Sequence, residues 1–97
     1  MNADAQGRVQ VDGPLTFATV PARLADSVAL FRPRQRLNFD LSGVTAVDSA
    51  ALALLVEWLR LGRQRGVQVG FVSVPVALRS LAELSELGQI DAALADP

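Results

Sequence analysis

Asp40 to Arg60 reads DLSGVTAVDSAALALLVEWLR. The stretch opens on the tail of an alternating segment, LNFDL, in which Leu37, Phe39 and Leu41 recur at every second position as one face of a buried strand requires. From Ser49 onward the apolar residues follow the period of a helix. The change of period puts a hydroxyl where backbone N–H groups lack partners and the helix dipole is positive. Asp48 and Ser49 are both residue types that cap such an end. A phosphate on Ser49 would bind there more strongly than a hydroxyl and would bring nearly two negative charges.

Residues in a helix advance by about 100° each, so Leu55, Val56 and Leu59 lie close to the direction of Leu52 and form a stripe that faces a sheet. Ala50, Leu54, Trp58 and Leu61 gather on the opposite side, and Glu57, Arg60 and Gln64 fill only a narrow sector between the stripes. In a chain this short, few elements are left to cover the second stripe. At ~25 cal/mol per Å² its burial is worth several kcal/mol to whatever covers it, and tryptophan is enriched at binding hot spots. This reading predicts a protein-docking surface made of Asp48, Ser49, Ala50, Leu54, Trp58 and Leu61, through which two copies could also pair when the protein is alone. The competing reading has the second stripe covered by a neighbouring helix of the same domain.

The flanks suggest the remaining elements. Arg8 to Asp12 alternates polar and apolar, Gly13-Pro14 punctuates it and LTF resumes, as in a half-exposed hairpin. Val20, Leu24, Val28 and Phe31 then share a helical face, with Thr19 as N-cap and Pro21 in the first turn. RPRQR, Arg32 to Arg36, ends that helix. VQVGFVSV, Val67 to Val74, suits a central strand. After Pro75 a further helix carries Ala77, Leu78, Leu81 and Leu84, Gly88 offers a C-cap, and QIDAALADP forms a short last turn. Strands alternating with helices predict an α/β fold with a mixed four-stranded sheet covered by about four helices. One domain spans residues 1–97, with 1–7 as a flexible N-terminus.

Composition restricts the chemistry. The 97 residues are 51% hydrophobic and carry nine basic against ten acidic side chains, a formal net charge of -1. That balance provides no overall positive field for nucleic acid. Cysteine and histidine are absent, which removes disulfides, thiol nucleophiles, Cys/His metal sites and imidazole bases. No phosphate loop such as GxxxxGK[ST] occurs, and Asp40, Asp48 and Ser49 as an acid and nucleophile set would lack a base orienter. The chain is therefore read as non-catalytic, without cofactor or metal. It has no membrane-spanning run and no signal-like start, which makes a soluble cytoplasmic protein the default. Arg32, Arg34, Arg36, Arg60, Arg63 and Arg65 form two clusters, read as solvated and helix-capping charge in preference to a lipid head-group patch.

DLSGVTAVDSAALALL resembles the signature of STAS domains, the anti-anti-sigma factor and sulfate-transporter-associated domains. The spacing from Asp40-Leu41-Ser42 to Asp48-Ser49 carries the resemblance, and ALALLVEWLRLGRQRG is similar to the helix of the MlaB-like branch. Ala50-Ala51-Leu52-Ala53 stands where the anti-anti-sigma branch usually has a glycine-containing run. The resemblance implies the STAS fold and a key hydroxyl at Ser49 preceded by the acid Asp48. It also implies an adaptor that binds the MlaF-like ATPase subunit of a phospholipid ABC transporter maintaining outer-membrane lipid asymmetry, and through it the permease. Such a subunit would be cytoplasmic and peripheral to the inner membrane through its partner, with no insertion of its own. The other branch implies an anti-anti-sigma factor whose Ser49 is phosphorylated by an anti-sigma kinase. Trp58→Ala is expected to lose the ATPase while the domain stays folded.

Overall fold

The computed structural model describes residues 1–84. Gly88 and the last turn expected at QIDAALADP lie outside the described residues. The elements run β1 (Arg8–Leu15), α1 (Val20–Ser27) with a 3-10 turn (Val28–Leu30), β2 (Arg36–Val47), α2 (Ser49–Arg65), β3 (Gln68–Val72) and α3 (Val76–Leu84).

β2 is central, and both neighbours run parallel to it, with Arg8 opposite Asn38 and Phe39 opposite Phe71. The mixed four-stranded sheet of the sequence reading is thus a three-stranded one among the described residues, and its named strands are all parallel. An antiparallel bridge joins Ala3 to Val9. Arg8 to Phe17 does not fold as a hairpin. Gly13 and Pro14 stay inside β1, an edge strand, where a proline need not supply a ladder donor. Two register shifts against β2 absorb the irregularity. VQVGFVSV supplies β3, which lies at the edge of these three strands and not at the centre.

Residues 1–7, expected as a flexible terminus, fold into a turn over the start of β1. Asp4 Oδ1 accepts from the backbone N–H groups of Gln6 and Arg8, each at 2.9 Å. The Asn38 N–H donates to the Gly7 carbonyl at 2.8 Å.

Alternation along the strands separates two faces. Val9, Val11, Leu37, Phe39, Leu41 and Phe71 are buried toward the helices. Arg8, Gln10, Asp12, Arg36, Asn38 and Gln68 are exposed or half-buried on the other side.

Placing α2 in its neighbourhood corrects the two-stripe reading. Leu54, Trp58, Leu61 and Ala50, assigned to an exposed docking stripe, are all buried, Trp58 completely and Leu54 at 1% exposure. Val56 and Leu59, assigned to the sheet, are only half-buried. Contacts with α1 and with α3 cover the flanks of α2 while its underside meets the sheet, so the neighbouring elements of the same domain do the covering. No exposed Leu54/Trp58/Leu61 surface remains through which two copies could pair.

Trp58 is the centre of this packing. Its ring stacks on Phe39 with centroids 3.8 Å apart and planes 7° from parallel, and Phe71 lies 6.3 Å away. Its indole N–H donates to Ser27 Oγ at 2.8 Å, and that hydroxyl donates to the Leu24 carbonyl at 2.8 Å. A buried indole N–H needs such a partner, and Ser27, itself buried, provides it.

Candidate docking site at the start of α2

β1 and β2 end side by side, Leu15 opposite Val47, and the chain leaves both at the same edge of the sheet. Asp48 fastens these ends together. Its N–H donates to the Leu15 carbonyl at 3.3 Å. Its side-chain Oδ1 accepts from the Ala50 N–H at 2.8 Å, which makes it the N-cap of α2. Its Oδ2 accepts from the Phe17 N–H at 3.1 Å, across 31 residues of sequence. One carboxylate therefore caps the helix and fixes the loop after β1.

Ser49 is the first residue of α2, exposed, and its hydroxyl has no hydrogen-bond partner among the described residues. The capping role suggested for the Asp-Ser pair belongs to Asp48 alone. Ser49 is left facing solvent at the positive end of a 17-residue helix. Ala53, one turn on, is exposed as well, so the helix rises from Ser49 with little bulk on that side.

Phe17 completes the site, and the sequence reading, which gave it to a strand, missed it. It is 72% exposed, while Phe31, Phe39, Phe71 and Trp58 all lie in the core. The turn that presents it is rigidly bonded. Thr19 Oγ1 accepts from the Thr16 N–H at 3.0 Å and donates to the Pro14 carbonyl at 2.7 Å. Thr19 occupies the N-cap position of α1, yet its hydroxyl serves this turn and not the helix. The signal in the sequence is the pair Thr16 and Thr19 around an aromatic residue four positions before Pro21, a side-chain-closed turn.

The other candidates are positioned elsewhere. Ala50, Leu54, Trp58 and Leu61 follow Asp48 and Ser49 on α2 but point inward. Asp40 lies on β2 at the sheet, where Oδ1 accepts from the Ser42 N–H at 2.9 Å and Oδ2 stands 3.5 Å from Arg8. The Ser42 backbone N–H, its hydroxyl and the Arg8 charge together hold the Asp40 carboxyl below the usual carboxylate range, against the opposing effect of its burial. Asp40 and Asp48 are thus bound to other groups, and neither is hydrogen-bonded to Ser49 as a general base would be. Among the described residues no group of acidic side chains has the arrangement of a metal site, and no helix is long and apolar enough to cross a membrane.

The arrangement of a three-stranded sheet with its helices is shared with a solved structure. A sulfate transporter family protein from Wolinella succinogenes superposes with a TM-score of 0.69 at 14% identity, over 94% of this chain and 75% of that one. Identity at that level shows the shared fold. The family described as "Mlab, STAS domain" matches residues 2–95, and the chain belongs to that family, whose members are generally non-catalytic. A search of curated proteins found no match.

Proposed function

We propose that this STAS domain is an adaptor subunit that docks, by the start of α2, on the ATPase of an MlaFEDB-type phospholipid ABC transporter, and so favours one state of that ATPase. The observation that carries the reading is the pairing of an unbonded Ser49 hydroxyl with an exposed Phe17 on a shelf held by Asp48. An exposed aromatic beside a polar helix start matches what interface hot spots are made of, and its fixed geometry lowers the cost of ordering on binding. Regulation then follows from differential affinity for two ATPase states. In this setting the protein is peripheral to the inner membrane through its partner.

Co-purification with the transporter ATPase tests the proposal. Wild-type protein should retain the ATPase. Ser49→Glu, which puts charge at the contact, and Phe17→Ala, which removes the anchor, should each lose it with thermal midpoints little changed, because both side chains are exposed. Retention by both variants refutes the docking site.

The exposed hydroxyl at a helix start also favours a second reading, an anti-anti-sigma factor switched by phosphate on Ser49. An added phosphate would meet the positive helix end and repel an acidic partner surface. Mass spectrometry of the protein from its native cell separates the two: a kinase-like partner with phosphorylated Ser49 supports the switch, and a transporter ATPase with unmodified Ser49 supports the adaptor.

A further inference from the structure

The fold joins what the sequence keeps apart. Arg32, Arg34 and Arg36 lie on the loop into β2, and Arg63 and Arg65 lie in the last turn of α2, some thirty residues later. The loops meet where β2 and β3 begin. The Arg34 N–H donates to the Gly66 carbonyl at 3.1 Å, and the Gln68 N–H donates to the Gln35 carbonyl at 3.2 Å. Arg36 Nε donates to Gln68 Oε1 at 3.2 Å, and Arg65 Nη1 donates to the Val28 carbonyl at 3.3 Å. All five arginines are exposed. None belongs to either ion pair of the described residues, which are Arg8–Asp40 and Arg60–Glu57.

The segments that carry these arginines, 32–36 and 63–66, hold five positive charges and no carboxylate in a chain whose net charge is -1, and of the described carboxylates Asp4 lines a hollow with Arg32 and Gln35. Asp4 already accepts from two backbone N–H groups. All nine basic residues of the protein are arginine, the side chain whose planar fork matches phosphate in two contacts at once.

We propose that this arginine end is a docking surface for the anionic phospholipid head groups of a bilayer. Its residue types decide between partners. A protein partner needs an apolar anchor at the centre of the contact, yet the residues between the guanidinium groups are Pro33, Gln35, Gln64 and Gly66, all exposed and none a large apolar side chain. Single-stranded nucleic acid needs aromatic platforms, yet Phe31, the aromatic residue nearest in sequence, is buried. A head-group surface needs neither, because each basic side chain close to it adds attraction independently. The surface lies at the opposite end of α2 from Ser49, so the domain can hold a membrane and a protein partner together.

Flotation of the purified full chain with vesicles tests this. Vesicles of phosphatidylcholine with about 30% phosphatidylglycerol should carry the protein and phosphatidylcholine alone should not, with binding lost on raising the salt to about 0.5 M. The triple variant R32Q/R34Q/R63Q alters only arginines whose side chains make no hydrogen bond, so the fold should persist. Its partition to anionic vesicles should fall about a hundredfold. R23Q, on α1 at a guanidinium that bonds the Asp12 carbonyl, should bind as wild type. Equal binding to neutral vesicles, salt-independent binding, an unaffected triple variant, or capture by RNA or an acidic protein without any vesicle binding would each overturn the proposal. Should the triple variant fail to fold, the lipid and salt series on the wild type decides alone. The assay contains no ATPase, so its failure leaves the Ser49 docking site untouched.

Discussion

Trp58 shows how a single burial changes what a substitution can test. Removing the indole empties a site walled by Phe39 and Phe71 and leaves Ser27 without its donor. Changes of that size cost about 3–5 kcal/mol, so Trp58→Ala should lower the urea midpoint sharply and cannot serve as a clean interface variant. Asp40 carries a pH dependence of determinate sign. Its folded pKa lies below its unfolded value near 3.9, so the stability it contributes is complete above that value and is lost as pH falls through the folded value. The stability gap between wild type and Asp40→Asn should therefore be widest near neutrality and should close on acidification below about pH 4, as followed by thermal midpoints. At this scale the cap at Asp48 was legible, because a carboxylate before a long apolar run has that meaning on its own, whereas the hydroxyl of Ser49, read as a possible cap too, makes no such bond. Phe17 was not legible, because its exposure depends on Asp48, 31 residues away.

Among elements, α2 was the most legible and also the most misread. Its start at Ser49 and its end before Gly66 follow from local chemistry, since Gly66 adopts φ 70° as the left-handed cap that closes the helix. Which stripe faces inward is not local. A helical wheel orders side chains around an axis without saying what stands beside it, and here α1 and α3 flank a helix already seated on the sheet. The hairpin failed for the same reason, since parallel pairing of β1 with β2 is a long-range event that Gly13-Pro14 does not announce. Two glycines, Gly62 inside α2 and Gly66 at its C-cap, make the packing testable. A Cβ on Gly62 would stand 2.7 Å from Val69 Cγ2 and 2.8 Å from the Val67 carbonyl oxygen, whereas a Cβ on Gly66 meets nothing within 4 Å. Gly62→Ala should cost about 1–3 kcal/mol by overpacking. Gly66→Ala should cost only the ~1 kcal/mol of a left-handed residue, and denaturant titration of the two should rank them in that order.

For the whole molecule, the fold class followed from the alternation of strand and helix periods, while the strand count and the joining of two arginine clusters depend on long-range pairing that no local pattern encodes. The same α2 that caps with Asp48 ends with Arg63 and Arg65, and 17 residues at 1.5 Å each set those ends roughly 25 Å apart. That span is about three Debye lengths at physiological salt, and one stiff helix separates the ends. Charge added at Ser49 should therefore be invisible at the arginines. Ser49→Glu combined with R32Q/R34Q/R63Q should shift ATPase and vesicle binding by the sum of the separate effects, within about 0.5 kcal/mol. α2 thus acts as an insulating spacer: it lets two contacts coexist in one small domain without either being read at the other.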